Sequence, residues 1–230
     1  MSIDPIKLRQ VSVFQNASDD DLKLIAQHSI ERSIEEGEFF FFQGDPAVYL
    51  YILISGRAKL LQTNPSGQQV NLRTISEWQL FGALGAVREN ATYPATAQAL
   101  EQSTVLAVKS DYLHELMQTR PYLSFDLMKL MTTYIQEMQE RYRELATEKV
   151  ERRIARALLR LAAQMGTKMD NGIELSFTRQ DLAEMSGTTL YTVSRVLSEW
   201  ERQGLVEAGR ERLLIRNPHG LVSIAEELNS

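Results

Sequence analysis

Between Thr178 and Arg212 the chain sets Arg179, Arg195, Arg210 and Arg212 among the hydroxyls of Thr178, Thr189, Thr192 and Ser194, with Gln180, Leu190 and Tyr191 beside them. Guanidinium groups grip phosphate and the edge of guanine bidentately, hydroxyls and amides bond phosphates or bases, and apolar tips meet thymine methyls. The chemistry on offer is that of holding a duplex, not of transforming a small molecule. The chain has no cysteine, which excludes disulfides, cysteine nucleophiles, thiolate zinc sites and cysteine-ligated clusters. A cupin-like or sugar-binding-like barrel enzyme needs histidines and carboxylates on its strands. Here no histidine falls between residues 29 and 113, and no Ser/His/Asp, HExxH or P-loop pattern appears.

The elements that must carry these residues are legible in the same stretch. Thr178 caps a helix with apolar Leu182, Ala183 and Met185; Gly187 stands where a tight turn is needed; a second helix turns Val193, Val196, Leu197 and Trp200 inward. Two short helices about such a turn form a helix-turn-helix, whose second helix lies in the major groove. After Gly204, Leu205-Val206 and Arg210–Ile215 fit a two-stranded wing with arginines at its tip. Charge agrees with this placement. The formal net charge is −5, yet residues 141–217 carry 14 basic and 11 acidic side chains, against 11 and 17 in residues 1–140.

Upstream, 230 residues predict one large domain or two smaller ones. Asn16-Ala17-Ser18 opens a short helix. Glu38–Phe42, Val48–Ile54, Ala58–Gln62, Val70–Ile75 and Thr104–Val108 read as strands, broken by Gly44-Asp45, Ser55-Gly56 and Asn64-Pro65-Ser66-Gly67. Such strands predict a barrel or sandwich able to enclose a small ligand. Past Pro121, the residues Met128, Met131, Ile135, Met138, Tyr142 and Leu145 follow at spacings of 3, 4, 3, 4 and 3. This seam predicts a homodimeric coiled coil, with packing against the barrel as the alternative. A further helix around Ile154–Ala162 and a hairpin at Asp170-Asn171-Gly172 precede the helix-turn-helix. The expected domains are 1–120 for effector sensing, 121–148 for the dimerisation helix and 149–230 for DNA binding. With no apolar run near a membrane span and no signal-like N-terminus, a cytoplasmic protein without membrane partners is expected.

Phe42-Gln43-Gly44-Asp45, Tyr51–Gly56, Phe81-Gly82-Ala83-Leu84-Gly85, the long helix, Thr178–Ala183 and Thr192-Val193-Ser194-Arg195 together resemble the CRP/FNR family of bacterial transcription regulators, across essentially the whole chain. The resemblance implies an α+β fold: an N-terminal cyclic-nucleotide-binding-type β-roll (a double-stranded β-helix or jelly roll), a long dimerisation helix and a C-terminal winged helix-turn-helix. It further implies a homodimer on palindromic double-stranded promoter DNA, RNA polymerase as a partner, an activator's output and control by a small effector.

Cyclic-nucleotide sensors of the family place a Gly-Glu pair on the ribose and an Arg-Ser pair on the phosphate, because a buried anion needs a charged partner. Here the Glu position is Ala83, and Tyr93-Pro94 stand where Arg-Ser would be. The effector is therefore expected not to be cAMP; a cyclic-nucleotide regulator with Arg88 in a rearranged pocket is the alternative. Gly82, Ala83, Leu84, Tyr93, Pro94 and Ala95, with Tyr134 and Met138 from the long helix, are expected to line an apolar pocket. The run Tyr93–Leu100 is similar to the Dnr-type, nitric-oxide-responsive branch, which brings haem into consideration beside other apolar ligands. The options for an axial ligand are His28, His114 or His219, with Met and Tyr as weaker choices, and His28 is the named candidate. In the second helix, Arg195 keeps the family's guanine-reading position, whereas Tyr191 stands where a cytosine-reading Glu is usual, with Leu190 or Tyr191 free to meet a thymine methyl.

Overall fold

The computed structural model describes residues 3–64, 69–88, 90–209 and 211–226. The chain divides into two compact units, one up to Glu137 and one from Met138.

In the first unit a short helix α1 (Asp19–Gln27) follows two 3-10 turns. Ser18 caps it by accepting from the Asp21 amide at 3.1 Å, and three aspartates occupy its positive first turn. The strands are β1 (Ser29–Ile34), β2 (Phe39–Phe41), β3 (Tyr49–Ser55), β4 (Ala58–Thr63), β5 (Gln69–Ile75) and β6 (Leu80–Phe81). After the one-turn α2 (Leu84–Val87) come β7 (Thr96–Ala99) and β8 (Ser103–Lys109). They form two antiparallel four-stranded sheets, ordered β1-β8-β3-β6 and β2-β7-β4-β5. This is the β-roll, and the period-two alternation of its central strands shows how it is filled. Leu50 and Ile52 of β3, with Leu106 and Val108 of β8, join Leu8, Phe14, Leu22 and Leu123 on the helix side. Their neighbours Tyr51, Leu53, Val105 and Ala107 turn to the interior, against Phe40, Phe41, Phe81 and Tyr93. Gly56 links β3 to β4 at φ +90°, where a Cβ would fall 2.6 Å from the Gln102 carbonyl oxygen.

Helix α3 (Ser110–Thr119) leads to the long α4 (Pro121–Thr147). Pro121 suits a helix start, having no amide to leave unpaired. The buried Asp21 ties α1 to this junction, accepting from Arg120 Nε at 2.8 Å and from the Tyr122 hydroxyl at 2.8 Å.

The second unit comprises the end of α4, α5 (Val150–Met165), β9 (Thr167–Met169), β10 (Gly172–Ser176), α6 (Arg179–Ser186), α7 (Leu190–Arg202), β11 (Val206–Ala208), β12 (Arg212–Ile215) and α8 (Pro218–Glu226). The strands make one antiparallel sheet ordered β11-β12-β10-β9. Ile154, Leu158 and Leu161 of α5, Leu182 of α6, Val193, Val196, Leu197 and Trp200 of α7, and Ile215 share one core.

The hairpin at Asn171-Gly172 and the wing are present, and β10 also joins the wing sheet. Strands β1 and β7, and the two-residue β6, were not expected. β1 is an edge strand of polar composition paired to β8 alone, and β7 buries only Ala97 and Ala99, too small to mark a strand. The expected turn at Pro65-Ser66-Gly67 lies outside the described residues, as does Arg210.

Candidate nucleic-acid interface

The helix-turn-helix is built by its own polar side chains. Thr178 Oγ1 accepts from the Asp181 amide at 3.0 Å, while Asp181 Oδ2 accepts from the Thr178 amide at 3.1 Å and hydroxyl at 2.6 Å. This reciprocal cap fixes the start of α6. Gly187 ends it at φ +61°, and a Cβ there would meet Leu145 Cδ2 at 2.5 Å. Thr189 then caps α7, accepting from the Thr192 amide at 3.2 Å with its hydroxyl 3.0 Å from that of Thr192. The hydroxyls of Thr178, Thr189 and Thr192 thus shape the two helix starts.

With Val193, Val196, Leu197 and Trp200 buried, the opposite face of α7 presents Leu190, Tyr191 and Arg195 to solvent; Tyr191 is 80% exposed. Arg195 Nη2 lies 3.4 Å from Glu151 Oε1, in the first turn of α5. Arg179 reaches across from α6, its Nη1 donating to Ser194 Oγ at 3.4 Å. Gln180 is exposed and donates to Glu184 at 2.9 Å. On the wing, the exposed Arg212 sits 3.8 Å from Glu174, diagonally across the β10–β12 ladder. Glu151 and Glu174 were not anticipated: each is remote in sequence from its arginine, and no local spacing links them.

The module is braced from below. Glu140, Glu144 and Glu148 stand at four-residue steps on the last turns of α4 and its C-terminal end, and Arg152, Arg156 and Arg160 at four-residue steps on α5. Arg160 binds Glu144 at 2.7 Å, Arg156 lies 3.3 Å from Glu148 and 3.4 Å from Glu140, and Arg143 binds Glu148 at 3.2 Å. Glu144 and Glu148 are buried, and burial weakens screening, so the ladder holds these groups in fixed register. Arg143, as first and largest cause, holds the Glu140 carboxyl below the usual carboxylate range.

The expected seam is exposed on α4: Met128, Ile135, Met138, Tyr142 and Leu145 are each more than half exposed, Met131 is partly so, and Phe125, which the spacing did not include, adds to the stripe.

The residues expected to line an effector pocket part company. Tyr93 is in the roll interior, its ring stacked on Phe41 at 3.7 Å, its hydroxyl donating to the Tyr49 carbonyl at 2.6 Å and accepting from the Tyr49 amide at 3.1 Å. Burial pushes that hydroxyl well above the usual phenol range. Ala95 is buried too, and a Cβ on Gly82, at φ +73°, would crowd Phe41 and Tyr93 at 3.2 and 3.3 Å. Ala83 and Leu84 are half-buried, whereas Arg88 and Pro94 are exposed. Tyr134 is half-buried under Arg73, whose guanidinium lies 3.8 Å above its ring, and Met138 is exposed in the other unit. An open cleft of about 390 Å³ lies elsewhere, lined by Ile3, Lys23, Ala26, Glu31 and Leu106 among others.

His28 ends α1 on the surface. Its Nδ1 is 2.8 Å from the Leu24 carbonyl and its ring stacks on Tyr112 at 4.0 Å, away from the roll interior. Its surroundings do not fit a porphyrin, which needs an apolar slot about its axial ligand. His114 is near Gln118 at 3.0 Å and His219 is exposed. Among the described residues no group of three or more metal-binding side chains occurs, and no helix is long and apolar enough to cross a membrane.

Residues 31–120 match the model of the cyclic nucleotide-binding domain and residues 152–224 that of the Crp-like helix-turn-helix domain. The chain is 30% identical to the transcriptional activator protein anr of Pseudomonas aeruginosa, over 84% of this chain and 80% of that protein. It is 29% identical to the cyclic AMP receptor protein of Thermus thermophilus, over 93% of this chain and 96% of that one. Among solved structures, the c-di-GMP-responsive regulator CLP of Xanthomonas campestris superposes with a TM-score of 0.78 at 22% identity, covering 86% of this chain and 99% of that chain.

Proposed function

Since the chain belongs to the CRP/FNR family of transcription regulators and carries that family's DNA-binding helix-turn-helix, we propose that it works as a cytoplasmic homodimer on palindromic promoter DNA, controlled by an effector other than a cyclic nucleotide. It is a regulator, not an enzyme. The exposed outer face of α7, bearing Arg195 above a fully packed inner face, carries the proposal. The apolar stripe on α4 supports pairing with a second copy, because side chains this apolar seldom stay exposed in a contiguous row on a monomer. Two copies present two reading helices related by a two-fold axis, the symmetry of an inverted repeat. Arg195 reads guanine, Arg179 and Arg212 hold phosphates, and the dimer on its promoter recruits RNA polymerase as an activator.

Against a cyclic nucleotide stands Tyr93: its ring is packed within the roll and its hydroxyl is held by the Tyr49 backbone, so this position itself offers a phosphate no cation. The effector is an apolar or planar molecule. Haem is not favoured through His28, which faces solvent.

Sedimentation at micromolar concentration, with selection of bound duplexes from a random-sequence pool, tests the proposal. A dimer enriching inverted repeats is expected; a monomer, or a pool left unenriched, defeats it. An absorption spectrum and native mass spectrum of the purified protein test the effector: a Soret band restores haem, and a retained cyclic nucleotide overturns its exclusion.

A further inference from the structure

The base-reading end of α7 lacks a carboxylate acceptor. From Leu190 to Ser198 the helix has no Asp or Glu; the first carboxylate is Glu199, which is engaged with Arg202 and Gln203 toward the helix C-terminus. A carboxylate is what accepts from the amino group of cytosine. In its place stand Leu190 and Tyr191, about half and four-fifths exposed respectively, in the first turn beyond the Thr189 cap. Exposure this large on apolar side chains beside an arginine, on a helix whose other face is fully packed, is what a contact to another apolar surface would relieve. In the major groove the one apolar group a base pair presents is the thymine 5-methyl.

We infer that Tyr191, supported by Leu190, is the specificity-determining residue of the reading helix and recognises thymine methyl groups, giving half-sites in which a T·A pair stands near the guanine read by Arg195. The inference rests on the DNA-binding role proposed above. Tyr191 and Arg195 are four residues apart, a rise of about 6 Å along the helix; with base pairs spaced about 3.4 Å apart, the thymine lies one or two steps from the guanine. Arg195 supplies the strong directional contact, and the phenol ring excludes water from the neighbouring methyl.

The full-length protein is first used to select duplexes from a random pool. In the enriched half-site each thymine within two pairs of the conserved guanine is then replaced by uracil, which deletes only the methyl. The wild type is expected to bind the uracil duplex roughly fourfold more weakly, the effect of one unburied methyl. Tyr191→Phe keeps that difference, because the ring makes the contact; Tyr191→Ala abolishes it; Tyr191→Glu moves the selected pair from T·A to C·G. Position 191 is exposed, so these variants fold as the parent does, which thermal melting verifies. Equal binding of thymine and uracil by the wild type, or loss of discrimination in Tyr191→Phe, overturns the inference and leaves the DNA-binding role standing. Failure to enrich any sequence overturns both.

Discussion

Arg195, on the outer face of the reading helix, is held 3.4 Å from Glu151 at the start of α5. The carboxylate competes with DNA for the same guanidinium. Arg195 is exposed and Glu151 partly so, and the pair contributes only about 0.2–1 kcal/mol to the fold. Glu151→Gln is expected to tighten DNA binding by up to about fivefold, with the melting temperature almost unchanged. Fluorescence anisotropy with a labelled duplex measures this; weaker binding would show instead that Glu151 orients Arg195 for the groove.

The arginines of the interface differ in kind. Arg195→Ala is expected to cost about 1–3 kcal/mol on the selected site and relax selection at one base pair. Arg179→Ala removes a phosphate contact and the 3.4 Å brace to Ser194, weakening all duplexes alike and reducing the salt slope by about one. Titrations of specific and scrambled duplexes over a salt series separate the two; equal losses on both duplexes for Arg195→Ala would contradict its assigned role.

Gly187→Ala combines a left-handed backbone with a Cβ placed 2.5 Å from Leu145 Cδ2. The backbone alone costs about 1–2 kcal/mol, and the clash adds to it. Adding Leu145→Ala should recover the steric part and leave the backbone part, so denaturant unfolding of the double variant falls between parent and single variant. A single variant as stable as the parent would refute the close approach.

Ile135→Glu places a charge in the middle of the exposed stripe of α4, at a side chain 56% exposed. The chain should keep its circular dichroism yet sediment as a monomer and lose affinity for the two-fold site, because a charge desolvated in an apolar seam is unpaired. A dimer unaffected by the change would move the pairing surface elsewhere.

Asp21 governs part of the acid stability. Its burial opposes the charged form, but hydrogen bonds from Ser18, Tyr122 and Arg120 outweigh this and hold the carboxyl below its usual range; the same bond, after burial, pushes the Tyr122 hydroxyl up. A carboxyl depressed on folding stabilises fully above its unfolded value of about 3.9 and loses that contribution as pH falls through the lower, folded value. Asp21→Asn is expected to lower stability at neutral pH by about 1–3 kcal/mol and to flatten the acid limb below about pH 5. Urea melts from pH 7 to pH 3 provide the check, and parallel curves for parent and variant would remove Asp21 from the account.

Elements with strong periodicity or sharp punctuation were legible in the sequence: Thr178, Gly187 and the Val193–Trp200 pattern located the helix-turn-helix, and the Asn171-Gly172 turn located the hairpin. β7 escaped because Ala97 and Ala99 fill the interior without the bulk that marks a strand, and β1 because Glu31 and Arg32 interrupt its alternation. The departure of Tyr93 from the cyclic-nucleotide pattern could be read from residue type alone. Its stacking on Phe41 could not, since that contact depends on which strands the sheets bring together. The pairing of Glu151 with Arg195 is likewise a product of tertiary packing between α5 and α7.

The ladder from Glu140, Glu144 and Glu148 to Arg143, Arg156 and Arg160 has a mechanical corollary. Ions drawn from water into a fixed lattice cannot slide past one another by small amounts without abandoning several partners together. The terminal turns of α4 and the helix α5 therefore keep one register, and α6 and α7, which share a core with α5, are held to that end of α4 as one piece.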